Sequence, residues 1–219
     1  MVKNIYFQPK HNEMNKYFRT ILTTLFFFII LLPEGKTQVF YIGFDAAPVY
    51  SWYASSDAGI DISSKGWGNN IGFFLRYGKR PYYQVGFDWT RANNDFDVEV
   101  PSEGFIIEDK VPFHNFDFSI KVGYEIIQTP LFKWSVFGGP FIGRSLLFES
   151  NDFEFDKTDF INPQYGVIAG TGIQITNMII SFDYNIHLSG LFQPIDLDGY
   201  IIDFGGNLHI VSLKIGVQL

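Results

Sequence analysis

The chain has 219 residues, of which 47% are hydrophobic and 19% aromatic, and its formal net charge is −7 at pH 7. This acidic balance argues against a nucleic-acid-binding surface, which needs clustered basic residues. The absence of cysteine excludes a disulfide framework, a thiolate metal site and a cysteine nucleophile. The 25 Phe, 12 Tyr and 4 Trp residues are typical of a packed β-protein or of one embedded in a membrane.

The N-terminal segment has the composition of an export signal. Residues 20–32 form a mostly apolar run preceded by basic residues. We predict that residues 1–37 are a signal peptide removed before Gln38, with 1–13 as an upstream extension if translation starts at Met14. An uncleaved N-terminal anchor helix is the alternative, although a membrane-spanning helix needs about 20 apolar residues.

Beyond the signal, hydrophobicity alternates with a period of two, which predicts β-strands. In the clearest case, Phe116, Phe118, Ile120, Val122 and Tyr124 alternate with Asn115, Asp117, Ser119, Lys121, Gly123 and Glu125. Similar patterns predict eight strands, at residues 38–53, 67–78, 82–92, 112–126, 132–148, 164–175, 178–191 and 207–219. Most are long enough for a tilted membrane strand of about 9–11 residues, and longer than a typical globular strand. The Gly138-Gly139-Pro140 sequence predicts a bulge or kink within the fifth strand.

The connections between these strands alternate in length. Short ones fall at 78–81, 128–130 and 176–177, and long ones at 54–66, 93–111, 149–163 and 192–206. Short turns at one end and long loops at the other are typical of outer-membrane barrels. We therefore predict an all-β, eight-stranded, antiparallel up-and-down transmembrane barrel over residues 38–219, with both termini on the periplasmic side.

Most of the acidic residues fall in the four predicted long loops. They are Asp57, Asp61, Asp95, Asp97, Glu99, Glu103, Glu108, Asp109, Glu149, Asp152, Glu154, Asp156, Asp159, Asp196, Asp198 and Asp203. We interpret them as a solvated outer surface. Binding of a divalent cation is the alternative, because clustered carboxylates suit Ca²⁺, but the sequence has no EF-hand loop.

A membrane barrel turns its apolar face to lipid and its polar face inward. The predicted inward charges are Arg76, Lys121, Lys214, Asp88, Asp117, Glu125 and Asp183, which we expect to pair across the lumen. We place Gly72, Gly86, Gly123, Gly170, Gly172 and Gly216 on the same face, where they make room for long charged side chains. The interior of eight strands is just filled by side chains, so we expect no open pore. A soluble, lipocalin-like barrel is the opposite assignment, but the apolar face carries more aromatic volume than a small barrel encloses.

Several sequence features resemble those of the bacterial outer-membrane β-barrel family that includes PorT-like proteins. These features are Gln38 after the signal, FYIGF at 40–44, GPFIG at 139–143 and the amphipathic end SLKIGVQL at 212–219. The resemblance covers essentially the whole mature chain and implies insertion in the outer membrane. It does not supply a mechanism, because a shared fold does not fix function.

One strand carries a set of residue types that hydrolases use. His187 shares a face with Ser181, Asp183, Asn185 and Ser189. Residues two apart on a strand are about 7 Å apart, too far for a direct hydrogen bond, so we interpret this set as a lumen hydrogen-bond network. The sequence lacks GxSxG, HExxH and glycine-rich phosphate motifs. We interpret His114 and His209 as interfacial, and we predict no catalytic, cofactor or metal site.

The predicted function is a structural or surface-interaction barrel, not an enzyme. Its partners would be the outer-membrane bilayer and possible envelope proteins, with no nucleic acid, and the barrel would be a monomer. The predicted loops also carry aromatic residues at Phe96, Phe105, Phe153, Phe155, Phe160, Tyr200 and Phe204. An accessory component of an envelope or secretion machine is the alternative, and a lipid-modifying enzyme is a weaker one.

Overall fold

The computed structural model describes residues 40–57, 60–100, 105–146, 161–190, 195–197, 200–202 and 206–219. The predicted signal peptide, residues 1–37, lies outside them and stays a prediction, as do the acidic residues between 149 and 159. Among the described residues, no helix is long and apolar enough to cross a membrane.

Eight long strands close into one antiparallel barrel, which confirms the predicted fold. They are β1 (Phe40–Asp57), β2 (Ile60–Gly78), β3 (Tyr82–Val100), β4 (Phe105–Gln128), β5 (Phe132–Leu146), β6 (Gln164–Ile175), β7 (Met178–His187) and β10 (Asn207–Gln218). Each pairs with its neighbour in the order β1-β10-β7-β6-β5-β4-β3-β2. A separate two-stranded hairpin, β8 (Ile195–Leu197) and β9 (Tyr200–Ile202), lies in the segment predicted as the fourth long loop.

The three short turns and both barrel termini share one end of the barrel, which we call the lower end. The turns lie at 79–81, 129–131 and 176–177, as predicted to within a residue or two. Gly78 begins the first turn with φ = +91°, a conformation that glycine adopts without a Cβ clash. The opposite, upper end carries the other four connections, of which only the two at 147–163 and 188–206 are long.

The strands are strongly staggered around the barrel. Paired residues on successive strands, followed once around the barrel from Phe40, lead back to β1 at Tyr50, ten residues farther along. The residues in between are Tyr77, Tyr83, Val122, Gly138, Ala169, Tyr184 and Val211. At about 3.3 Å per residue and about 4.8 Å per strand, this stagger corresponds to a strand tilt of roughly 40°. That tilt is the one expected for a small closed barrel.

Two predicted long loops are wrong, because the strands continue through them. The predicted loop at 54–66 is almost entirely paired strand, and β3 and β4 remain paired up to Val100 opposite Phe105. The cause is a second alternation in the sequence DFDVEV at 95–100. Here the odd positions are polar, whereas lower in the same strand the odd positions are apolar. In a barrel predicted to span a membrane, the upper end of such a strand would have water on its outer side, and an amphipathic strand reverses its polarity there. Conversely, β7 ends earlier than predicted, at His187.

The predicted bulge is also displaced. The register shift lies in β4, between Glu125 and Ile127, and not in β5. Ile126 and Ile127 are 41% and 43% exposed, so two successive side chains face outward there. In β5, Pro140 has no N–H to donate, and the ladder to β4 is interrupted opposite it without a change of register.

The two faces of the barrel wall are as predicted in its lower and middle parts. On β4, Phe118 is 45% exposed, whereas Ser119 and Lys121 are buried. All seven predicted inward charges are buried: Arg76, Asp88, Asp117, Lys121, Glu125, Asp183 and Lys214. The soluble alternative, which needs an apolar interior along the whole barrel, is therefore not supported.

The glycines of the inner face make room for rings as well as for charged side chains, which extends the prediction. A Cβ on Gly123 would collide with the ring of Tyr82, and one on Gly170 with the ring of Phe137. Gly72 faces the carboxylates of Asp45 and Asp88 and spares space for charged groups as predicted, and Gly143, which was not in the predicted set, does the same for Asp117. Flat aromatic side chains thus lie across glycines of neighbouring strands and fill the lumen.

Candidate functional site

The middle of the lumen holds a network of buried ion pairs. Lys214 on β10 forms an ion pair with Asp88 on β3, and its Nζ lies 3.6 Å from Asp45 Oδ1 and 3.8 Å from Asp183 Oδ2. Lys121 on β4 reaches the same Asp183 oxygen at 2.9 Å. Five charges from five strands therefore meet in the lumen. Lys121, Lys214, Asp88 and Asp183 were predicted as paired lumen charges, whereas Asp45 was not. Such a network holds the walls together and obstructs passage.

Below this network, a second polar layer closes the lower end. The Nε and Nη2 atoms of Arg76 donate hydrogen bonds to Gln84 Oε1 at 3.1 and 2.8 Å, and the guanidinium lies over the Tyr82 ring at 4.2 Å. Lys133 Nζ lies 3.6 Å from Glu125 Oε1. The cavity between these layers has a volume of about 30 Å³. It holds a water molecule or two and no larger solute.

The upper end of the lumen is apolar, which sequence reasoning missed. Six fully buried side chains fill it: Tyr53, Phe96, Val111, Phe113, Leu208 and Ile210. Phe96 was predicted on an exposed loop, and that prediction is wrong, because the residue lies on the inward face of β3 and is 1% exposed. The reversed alternation at 95–100 is the signal that would have located it. This layer seals the described lumen from above.

Several buried polar atoms lie between the seal and the ion-pair network. Both carboxylate oxygens of Asp117, both ring nitrogens of His187 and the amide of Gln164 have no hydrogen-bond partner among the described residues. Buried polar groups of this kind are usually satisfied by ordered water. These polar atoms form a layer between the apolar seal above and the ion-pair network below, where ordered water would satisfy them.

The proposed Ser/His/Asp set does not form a catalytic arrangement. His187 contacts the edge of the Phe141 ring, with centroids 4.8 Å apart. Ser189 Oγ accepts a hydrogen bond from the Tyr165 amide, and Asp183 is held by the two lysines. The lumen hydrogen-bond network predicted for this strand is thus confirmed for Ser181 and Asp183, but not for His187. Ser181 Oγ donates to Asp183 Oδ1 at 3.0 Å, so the expectation that residues two apart are too distant for a direct hydrogen bond is wrong for this pair, because the side chains lean toward each other.

The other two histidines lie on the outer face, as predicted. His114 Nδ1 accepts a hydrogen bond from Trp89 Nε1 at 3.2 Å, and the two rings stack. His209 Nδ1 is 2.9 Å from the Tyr184 hydroxyl and stacks on Trp52. Both therefore belong to aromatic clusters at the upper end of the apolar surface. Within the described part of the chain, no three His, Asp or Glu side chains are arranged to hold a metal ion.

Two rings of aromatic side chains bound the apolar outer surface. The upper ring contains Tyr50, Trp52, Trp67, Trp89, Tyr165 and Tyr184, and the lower ring contains Tyr77, Tyr83, Tyr124 and Trp134. On β2, Trp67 and Tyr77 are ten residues apart, which at a tilt of roughly 40° corresponds to a height of about 25 Å. This matches the apolar band of an outer-membrane barrel between its aromatic girdles. Large apolar residues such as Ile71, Phe87 and Ile215 are about half exposed between the rings.

A closed barrel with this surface pairs its strands internally, with no open edge, while it presents hydrocarbon side chains to lipid. The chain is an integral outer-membrane β-barrel.

The chain is similar in fold to small outer-membrane barrels of known structure. Neisserial surface protein A is 18% identical, and the match covers 83% of this chain and 99% of that one, with a TM-score of 0.47. OprG from Pseudomonas aeruginosa is 9% identical (81% and 95% covered, TM-score 0.49), and Ail from Yersinia pestis is 11% identical (82% and 99% covered, TM-score 0.43). No family model and no curated protein sequence matches the chain.

Proposed function

We propose that this barrel is a non-enzymatic surface protein that holds a rigid, acidic extension of its wall outside the cell. The carrying observation is the length of β3 and β4. From Trp89 in the upper girdle, β3 continues for eleven residues to Val100, which is about 36 Å along the strand and roughly 28 Å in height. β4 has 24 residues, whereas about 9–11 suffice to cross a bilayer.

The charge of this extension supports a role in contacts with other molecules. The register places Asp61 opposite Glu99 and Asp97 opposite Glu108. Like charges directly opposite each other weaken a strand pair. The extension is therefore less stable than it would be with neutral residues at these positions. Its negative charge suits recognition of a basic partner.

The filled lumen supports a scaffold and not a channel. A network of ion pairs lies in the middle, and six apolar side chains close the top. A solute that crossed the barrel would have to break buried ion pairs, and removing one partner of such a pair costs several kcal/mol. The outside surface, not the interior, is where this protein would act.

The test is capture of a defined basic probe, polylysine-coated beads, by intact cells that display the protein. Asp97→Asn combined with Glu108→Gln is expected to weaken capture, whereas Glu154→Gln combined with Asp156→Asn is the matched control with the same loss of charge. If both pairs of substitutions weaken capture equally, capture depends on general surface charge and not on the extension. No effect of either pair would refute the proposed role.

An accessory role in an envelope or secretion machine, which the PorT-like resemblance suggests, makes a different prediction. Extraction in a mild detergent would then yield a stable complex of fixed stoichiometry. We expect a lone monomer instead. Size-exclusion chromatography with light scattering distinguishes the two outcomes.

A further inference from the structure

The outer rim of the lower end is basic, although the chain as a whole has a net charge of −7. Lys79 and Arg80 lie in the turn between β2 and β3, where Lys79 is half-buried and Arg80 is exposed. From the lower aromatic ring down to the turns, Glu125 is the only acidic side chain among the described residues. Two adjacent cations therefore lie at the level where a bilayer places its headgroups, and they call for a specific explanation.

The side chain of Arg80 lies against the outside of the barrel wall. Its Cζ atom is 4.7 Å from the centre of the Tyr124 ring, and Tyr124 is 48% exposed on the outer face of β4. The register brings the ring beside the turn, because Gly123 pairs with Tyr82. The ring attracts the cation through its face and leaves the N–H groups in the guanidinium plane able to donate to an anion. Arg80 is thus held at the height of the lower aromatic ring and on its lipid side.

The acidic groups of the lower end do not cancel this charge. Glu125 faces the lumen and is 4% exposed, and its Oε1 atom is 3.6 Å from Lys133 Nζ. The carboxylate of Leu219 follows β10, which lies four strands from β4 in either direction around the barrel. Eight strands give a barrel roughly 16 Å across, which exceeds the screening length of about 8 Å at physiological salt. Glu34 belongs to the predicted signal peptide, outside the described residues.

The wall beside the two cations is aromatic and continues upward into the apolar belt. Tyr77 on β2 pairs with Tyr83 on β3, and Tyr124 lies on the next strand. Tyrosine is enriched at this level of membrane proteins because its ring is apolar and its hydroxyl is polar. Above the rings, Val85 and Val122 are 38% and 50% exposed. This surface therefore offers cations to a headgroup, tyrosine rings to the glycerol region and hydrocarbon to the acyl chains.

We propose that this surface binds an anionic phospholipid in the leaflet on the side of the short turns, which is the periplasmic leaflet in the predicted orientation. Arg80 and Lys79 would contact the phosphate, and the acyl chains would lie along Val85 and Val122. Basic residues near a membrane surface attract anionic lipids in this way. The inference does not depend on a partner for the acidic extension, which lies at the opposite end.

The experiment is native mass spectrometry of the full-length barrel released from micelles that contain equal amounts of phosphatidylglycerol and phosphatidylcholine. Only the first of these lipids has a net negative charge, and we expect it to be retained preferentially. Lys79→Gln combined with Arg80→Gln should reduce that preference by about fivefold for each cation. The matched control is Lys65→Gln combined with Lys110→Gln, which removes the same charge at the upper end, where Asp95 lies 3.5 Å from Lys110. It should leave the preference unchanged.

A second pair of variants tests the position of Arg80 without a change of charge. Tyr124→Leu removes the ring on which the guanidinium lies and should lower the preference by about two- to fivefold. Trp134→Leu is the control, because Trp134 belongs to the same aromatic ring of the barrel but donates its hydrogen bond to Thr171. It should retain the preference of the unsubstituted protein.

Four outcomes would overturn the proposal. They are no preference in the unsubstituted protein, an equal loss in both double variants, an unchanged preference in Tyr124→Leu, and displacement of the lipid by millimolar inorganic phosphate at constant ionic strength, which would indicate a site for free phosphate. Compact migration in unheated denaturing gels confirms that each variant is folded. If the double variant in the turn fails to fold, Lys79→Gln and Arg80→Gln are each compared with Lys65→Gln.

Discussion

Lys121 Nζ donates a hydrogen bond to Asp183 Oδ2 at 2.9 Å, and this bond crosses the lumen from β4 to β7. Two strands separate β4 from β7 in the barrel order. Both side chains are buried, so neither charge is solvated by bulk water. The pair therefore joins parts of the wall that the backbone ladder connects only through intervening strands.

Asp183→Asn should destabilise the barrel strongly, because it removes the carboxylate that pairs with Lys121 and one of the three carboxylates near Lys214. Removal of one member of a buried pair typically costs about 3–5 kcal/mol. The matched control is Asp95→Asn, which breaks the exposed pair with Lys110 and should cost less than about 1 kcal/mol. Guanidinium unfolding in micelles, followed by tryptophan fluorescence, measures both. Similar losses for the two variants would contradict the structural role of the lumen pair.

The sequence contained enough information to locate this network. Alternation along β4 separates Phe118 and Val122 from Asp117 and Lys121, and a membrane barrel has only one face that can accept charges. The partner of each charge was not predictable, because it depends on the stagger of ten residues around the barrel, which no single strand encodes. The sequence also did not indicate that Lys214 would meet three carboxylates.

The upper part of the barrel was harder to predict for a physical reason. Acidic residues at 95–99 resemble a solvated loop, and Phe96 between them resembles a loop aromatic. A strand that leaves the membrane has water on its outer side, so its apolar residues turn inward, as Phe96 does. The rule that polar residues face the lumen and apolar residues face outward therefore fails where the strand leaves the membrane.

Ile120 and Phe118 should contact lipid, whereas Phe137 should face the lumen. Ile120→Arg is expected to cost roughly 2–4 kcal/mol if the position lies near the bilayer midplane. Because the chain has no cysteine, single nitroxide labels can be placed at Phe118→Cys and Phe137→Cys. The label at 118 should be accessible to oxygen dissolved in lipid, and the label at 137 much less so. The reverse order would invert the two faces of the wall.

Positions 102 and 151 should lie outside the cell, and the turn at 176–177 should lie in the periplasm. Short turns on the periplasmic side and longer connections outside are the rule for such barrels. Ser102→Cys and Asn151→Cys should react with a membrane-impermeant maleimide on intact cells, whereas Asn177→Cys should react only after lysis. Labelling of position 177 alone on intact cells would reverse the orientation and place the acidic extension in the periplasm.

Gly123→Val should destabilise the barrel because its side chain would occupy the space taken by the Tyr82 ring. Overpacking of this kind typically costs about 1–3 kcal/mol. Adding Tyr82→Ala should recover part of that loss, since it empties the space that valine needs. A double-mutant cycle measured by guanidinium unfolding gives the coupling energy, and additive effects would show that the ring and the glycine do not share one packing site.

His187→Ala should leave the lipid composition of a producing strain unchanged. A catalytic histidine needs a nucleophile or a carboxylate within hydrogen-bond reach, whereas neither ring nitrogen of His187 has a partner among the described residues. Its one described ring contact, with Phe141, is a packing contact.

Alanine leaves a cavity there, so a modest loss of stability is expected while the lipid profile stays the same. Ser189→Ala is the companion variant, because Ser189 is the hydroxyl residue of the set that lies nearest to His187 in the sequence. Mass spectrometry of extracted lipids, compared between these variants and a strain without the protein, decides the question. A lipid species that disappears both in that strain and in the His187→Ala strain would identify the barrel as a lipid-modifying enzyme.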